Sequence, residues 1–207
     1  VRLGIACGSG PPPGEVLDLL EAAGLPAASL RGEVRPALLR HAGGLWFLGS
    51  SADVLRGCDR AALDAGVVGS DRLLEDRCGA TDLLDLGCCR DDLVFSVAEG
   101  AVRRHRRMRV ATRHPETARS YFAAAGVQAE ILTLDEPALA PGLGVAEGVV
   151  ELRSRLAATS PAAPETTERG VVTACSARLV AGRAARVLLR DEVNALADRL
   201  RAALEER

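Results

Sequence analysis

Residues 109–131 read RVATRHPETARSYFAAAGVQAEI and hold the clearest succession of elements in the chain. RVAT is a short, largely apolar run that suits a buried strand. His114-Pro115-Glu116 then opens a helix, because proline is tolerated in a first turn where its missing N–H has no partner to lose. The helix, ETARSYFAAAG, is closed by Gly126, and residues 128–132 read as strand again. A strand, a helix and a second strand in this order predict an α/β fold.

Working outward, the alternation continues in both directions. Residues 3–7 form a first strand, and the turn GSGPPPG (8–14) leads into an amphipathic helix, EVLDLLEAAG (15–24), closed by Gly24. Residues 45–48 are an apolar run, 51–56 begin a helix near Asp53, and 65–69 are a small-residue strand with Asp71 as the next helix N-cap. On the other side, 93–98 are strand, 137–143 helical and 148–152 strand. The segment AATSPAAPETTERG (157–170) reads as a loop, 171–174 and 177–180 as strands, and 184–206 as one charged amphipathic helix.

Composition removes several classes of function. The 207 residues have room for one or two compact units. Only 2% are aromatic, which disfavours a platform for stacking exposed bases, and a net charge of -2 disfavours a general polyanion binder. The block RRHRR (103–107) is therefore expected to be a solvated turn, with no nucleic-acid partner. All 26 basic residues are arginines, so a lysine Schiff base or a P-loop lysine is excluded. Cys7, Cys58, Cys78, Cys88, Cys89 and Cys175 show no C-x-x-C spacing, and His41, His105 and His114 supply no matching set, so a structural zinc site is not expected. RLGIAC lacks a basic leader pattern and no stretch has the length of a membrane span; the expectation is a soluble, cytoplasmic protein with reduced thiols. Trp46, Tyr121 and Phe122 are expected in the core, and His114 as a helix-entry residue.

One segment carries most of the polar chemistry: LAPGLGVAEGVVELRSR (139–155). Residues four apart in a strand share a face, so Glu147 and Glu151 project together. Two carboxylates can accept hydrogen bonds from sugar hydroxyls or hold a hard cation such as Mg²⁺; equally, they can be solvated acids at the ends of a strand. At the other end of the chain the turn at Ser9 and Gly10 is the nearest approach to a phosphate loop, although three following prolines remove N–H donors.

Five stretches together resemble ATP phosphoribosyltransferase in its short form: ALDAGVVGSDRLLED (62–76), LLDLGCC (83–89), residues 109–131, LAPGLGVAEGVVEL (139–152) and SARLVAGRA (176–184), in that family's order. The resemblance implies a two-lobed fold of the type II periplasmic-binding-protein kind, with residues 1–92 plus 176–207 as one lobe and 93–175 as the other. It implies a reaction in which N1 of ATP displaces pyrophosphate from phosphoribosyl pyrophosphate, with Mg²⁺ assisting. Glu147 and Glu151 fall on two family aspartates expected to meet the ribose or its metal. Asp64 and Asp71 match acidic positions, with Gly66 and Gly69 allowing a close strand-to-helix approach. Ser9 and Gly10 occupy the family's first phosphate turn.

The resemblance also exposes departures. A basic Pro-Lys-Gly-Arg-like turn is here Gly8-Ser9-Gly10-Pro11, and a Thr-Gly-x-Thr phosphate loop is here Arg155-Leu156-Ala157-Ala158. A lysine is replaced by Ser70, and a Cys-Arg pair by Asp91-Asp92. Arg153, Ser154 and Arg155 are then the candidates to hold phosphate, guanidinium forks being well matched to phosphate oxygens. Short-form members imply an oligomer with a separate regulatory subunit resembling histidyl-tRNA synthetase. The competing expectations are a noncatalytic binding or regulatory homologue, and a paralogue that ribosylates a purine nucleotide in a specialised pathway.

Overall fold

The computed structural model describes residues 1–7, 10–33, 36–41, 44–76, 78–99, 107–159 and 164–206. The chain divides into two compact units, Val1–Arg90 with Ser176–Arg207, and Asp91–Cys175.

The first unit is built on a six-stranded sheet. Its strands are β1 (Arg2–Ala6), β2 (Ala37–His41), β3 (Gly44–Gly49), β4 (Ala65–Gly69), β5 (Thr81–Asp85) and, from the end of the chain, β11 (Ala177–Ala181). The spatial order is β2-β3-β1-β4-β11-β5. β1 runs parallel to β3 and β4, whereas β11 enters antiparallel to both β4 and β5. Helix α1 (Gly14–Ala22) buries Val16, Leu17, Leu19 and Leu20, at the i, i+3, i+4 spacing that places apolar side chains on one face. Helix α2 (Ser51–Asp59) starts where the Ser50 hydroxyl accepts from the Asp53 N–H at 3.1 Å, a side-chain cap. Helix α3 (Ser70–Glu75) follows β4 directly. The expected C-terminal helix is two, α6 (Arg183–Leu188) and α7 (Arg190–Glu205), because Leu189 at φ -127° and ψ 40° leaves helical geometry between them. Val193, Leu196, Leu200 and Ala203 of α7 are buried, and Leu196 and Leu200 join the core that contains Trp46 and Leu19.

The second unit has five strands: β6 (Asp91–Ala98), β7 (Met108–Thr112), β8 (Ala129–Thr133), β9 (Gly148–Leu152) and β10 (Thr166–Cys175), in the order β10-β6-β9-β7-β8. β7 is parallel to β8 and β9; β6 is antiparallel to β9 and β10. Helix α4 (Pro115–Ala124) packs Ala118 and Phe122 into a core with Leu93, Phe95, Val110 and Val150. Phe95 and Phe122 meet edge to face with ring centroids 5.0 Å apart, an arrangement aromatic quadrupoles favour. A single turn of helix, α5 (Arg153–Ala157), follows β9.

Two further expectations change. The helix at 137–143 is only a 3₁₀ turn at Pro137–Leu139. The polar end of the expected loop, TTERG, is strand instead, because β10 pairs with β6 from Thr166 onward and takes two register shifts to do so. Strands β2 and β5 escaped the sequence reading. Arg103, Arg104, His105 and Arg106 lie outside the described residues, as does Ser9. Among the described residues no helix is long and apolar enough to cross a membrane.

Candidate functional site

In the second unit, parallel strands β7 and β9 end side by side, and the buried polar groups collect there. Thr112 closes β7, His114 precedes α4, and Glu151 lies one residue before the end of β9; Thr112 is fully buried, and His114 and Glu151 are each 2% exposed. The His114 backbone N–H donates to Thr112 Oγ1 at 2.9 Å, which turns the chain from strand into helix. Imidazole Nε2 then stands 3.9 Å from Glu151 Oε1, and that oxygen accepts from the Leu152 N–H at 2.8 Å. Carboxyl ends of strands are where α/β sheets open toward ligands.

Glu147 is elsewhere. Its carboxylate accepts from the Arg109 N–H at 2.7 Å, and its own N–H donates to the Arg109 carbonyl at 3.1 Å, at the beginning of β7. Glu147 lies just before β9 and Glu151 within it, four residues of rise, or about 13 Å of extended backbone, apart. The Glu151 carboxylate accepts from the Leu152 N–H instead, so the two acids are held by different partners. The pair expected to meet the ribose or its metal thus has separate hydrogen-bond partners, since strand periodicity aligns side chains without by itself bringing them close.

Beyond β9 the expected phosphate ligands are engaged with acids. The Arg153 guanidinium donates from Nε and Nη2 to the two Glu168 oxygens at 3.0 and 2.9 Å, and from Nη1 to Asp92. Those bonds raise its pKa, first through Glu168 and then Asp92, and in turn Arg153 holds the Glu168 carboxyl below the usual range. The Asp91 carboxylate takes the Ser154 hydroxyl and, at 3.4 Å, the Ser154 N–H at the start of α5. Asp91 and Asp92 thus occupy donors that a phosphate would need. Arg155 is exposed on α5. A depression of about 450 Å³ opens in this unit, lined in part by Ser96, Arg153, Leu156, Thr166 and Glu168, with Glu99 and Glu165 adding negative charge.

In the first unit, Asp64 is a structural acid. It is 3% exposed, and it accepts from the Arg2 N–H at 2.7 Å, Nε at 3.1 Å and Nη2 at 2.5 Å. Burial works to raise its pKa, but the Arg2 hydrogen bonds and charge outweigh it, so the carboxyl ionises below its ordinary value. Asp64 precedes β4 while Asp71 follows it, so the two stand at opposite ends of the strand. Gly66 is a packing residue: a Cβ there would come 2.5 Å from Val54 Cγ1 of α2. Gly69, not Asp71, is the N-cap of α3; a Cβ on Gly69 would lie 2.2 Å from Asp71 Oδ1, in the first turn. Ser70 accepts from the Ser176 N–H at 3.1 Å, and the Ser176 hydroxyl donates to Asp85 Oδ1 at 2.8 Å, tying β4, β11 and β5 together at one end. Gly10 stands in the turn ahead of α1 with open space around it.

Thr112 enters the group without having been singled out, and His114 does so although it was read only as a helix-entry residue. Their signal in the sequence is the polar run Thr112-Arg113-His114 between the apolar strand VA and the Pro115 helix start.

Two units of mixed α/β structure, each with an antiparallel strand set into a sheet otherwise containing parallel pairs, define a fold of the type II periplasmic-binding-protein class. The probable amino-acid ABC transporter extracellular-binding protein of Bacillus subtilis matches it with TM-score 0.58 at 14% identity, covering 100% of this chain and 90% of that one. The Thermotoga maritima protein solved as an ATP phosphoribosyl transferase (HisG:HisZ) complex matches with TM-score 0.74 at 17% identity, covering 100% of both chains. The family model for HisG, ATP phosphoribosyltransferase, matches residues 50–202. An ATP phosphoribosyltransferase of Rubrobacter xylanophilus is 37% identical over 191 residues, 88% of this chain and 87% of that protein. The chain belongs to the ATP phosphoribosyltransferase family.

Proposed function

We propose that this chain transfers the ribose 5-phosphate of phosphoribosyl pyrophosphate to N1 of ATP, releasing pyrophosphate, as the opening step of histidine biosynthesis. The observation that carries this reading is relatedness along nearly the whole chain, at 37% identity to a protein of that name. The chemistry asks mainly for alignment of two anionic substrates and for stabilisation of charge on the leaving group. Glu151, buried beside His114, is the residue we assign to the ribose hydroxyls, which a carboxylate accepts from readily. Arg155 is the cation we assign to the sugar phosphate, Arg153 being matched already by Glu168 and Asp92. Mg²⁺, when bound with the substrate, would help neutralise charge on the leaving pyrophosphate. A separate subunit completes the assembly in this reading, as in the protein solved as a HisG:HisZ complex.

The test is formation of phosphoribosyl-ATP from ATP, phosphoribosyl pyrophosphate and Mg²⁺, alongside calorimetric binding of phosphoribosyl pyrophosphate to the folded chain. Binding is expected with the chain alone, and Glu151→Gln is expected to lower kcat/KM about a hundredfold. A folded chain that neither binds phosphoribosyl pyrophosphate nor forms product overturns the proposal.

A further inference from the structure

The turn that follows β5 carries Cys88 and Cys89, and neither is used by the chemistry above. Successive residues of an extended chain point to opposite sides. Here Gly87 at φ 61° and Cys89 at φ 51° put the backbone into the left-handed region, which a residue with a Cβ seldom adopts. The turn is held in that form by Leu86 N–H to the Ala177 carbonyl and Ala177 N–H to the Cys88 carbonyl, both at 2.9 Å. The Cys89 N–H also donates to Glu15 Oε2 at 2.7 Å, across a separation of 74 positions. As a result one carboxylate oxygen of Glu15 and the two Sγ atoms lie within 4.8 Å of one another. Cys88 is buried, Cys89 half-buried, and Glu15 exposed in the first turn of α1.

We propose that Glu15, Cys88 and Cys89 form a binding site for a soft divalent metal ion of the zinc class, through two sulfurs and one carboxylate oxygen. Zinc bonds sulfur at about 2.3 Å and carboxylate oxygen at about 2.0–2.2 Å, so a tetrahedral ion needs its donors about 3.5–4 Å apart. The present donors, all within 4.8 Å of one another, would close to that spacing around the ion. Water supplies the fourth ligand on the exposed side, and each thiol gives its proton to solvent as its sulfur takes the metal. Two adjacent thiolates select a soft metal over Mg²⁺. The ion would fasten the start of α1 to the turn after β5, both within the first unit. A spacing search for C-x-x-C misses it, because its third donor comes from a distant helix.

Cd²⁺ titrated into the reduced, chelator-stripped full chain tests this through the sulfur-to-cadmium absorption in the ultraviolet. Saturation at one equivalent is expected, with Zn²⁺ displacing the signal. The double substitution Cys88→Ser with Cys89→Ser should abolish it, whereas Cys58→Ser and Cys175→Ser should leave it intact. Glu15→Gln keeps an acceptor for the Cys89 N–H while removing the carboxylate charge, and should raise the Cd²⁺ dissociation constant at least about tenfold, with Trp46 fluorescence verifying that each variant is folded. No absorption at one equivalent, an unaltered signal in the folded double variant, or unaltered affinity in Glu15→Gln would each overturn the site.

Discussion

Replacing Asp64 by Asn should destabilise the first unit without touching substrate binding. Asp64 receives three hydrogen bonds from Arg2, and its own side chain is 4% exposed while that of Arg2 is 45% exposed. The bond from the Arg2 N–H to a buried carboxylate is worth about 1.5 kcal/mol. The half-exposed guanidinium bonds are discounted for solvent screening to about 0.5–1 kcal/mol together. An amide keeps one acceptor but turns its NH₂ toward donors, so a loss of about 2 kcal/mol is expected. Trp46 is the sole tryptophan and lies in the core of this unit, so its fluorescence follows urea unfolding there. The midpoint should fall with an unchanged slope. The pH dependence has a defined sign. The native carboxyl ionises below its ordinary 3.8, so the unfolded chain binds more protons through that window and stability rises with pH across it. The advantage of wild type over the variant is therefore complete above the ordinary value and shrinks as pH falls through the native one. Equal midpoints at neutral pH would refute the reasoning. So would lost phosphoribosyl pyrophosphate binding at unchanged stability, which would return Asp64 to the ligand site.

Gly66→Ala sets a methyl 2.5 Å from Val54 Cγ1 and 3.3 Å from Cys58 Sγ, and should cost about 1–3 kcal/mol in the same urea experiment. Phe122→Ala removes the edge-to-face partner of Phe95 and should cost about 3–5 kcal/mol by calorimetry. Because Arg153 is matched by Glu168 and Asp92, Arg153→Ala should leave KM for phosphoribosyl pyrophosphate within about twofold, steady-state kinetics being the measurement. Arg155→Ala should raise that KM about tenfold or more, since this exposed cation, without such matching among the described residues, is the one we assign to phosphate.

The architecture was readable wherever local pattern and burial agree. RVAT, Gly126 and the strand after it predicted β7, α4 and β8 because each carries its own periodicity and punctuation. β10 was hidden: Thr166–Gly170 is polar, and its strand geometry comes from pairing with β6, a partner far away in sequence. The break at Leu189 was hidden too, since the residues on both sides are good helix formers. Spacing singled out Glu151 and Glu147 as candidates but not their partners, because a period of two fixes the face and says nothing about which neighbouring backbone, such as Arg109 beside Glu147, each acid meets. Arg153 shows the same limit for charge. Its residue type suits phosphate, whereas Asp92 and Glu168, which it actually meets, come from β6 and β10.

β11 has a consequence for how this chain comes into being. It lies between β4 and β5, yet it follows the whole of the second unit in sequence. During synthesis the sheet of the second unit has all its strands once Cys175 has emerged. The sheet begun by β1 still lacks an interior strand at that moment, and β4 and β5 expose backbone edges that only the returning segment can pair. α7, which brings Leu196 and Leu200 to the same core, arrives later still. The middle of the chain can therefore settle first while its beginning waits for its end, reversing the N-to-C order in which domains usually fold on the ribosome.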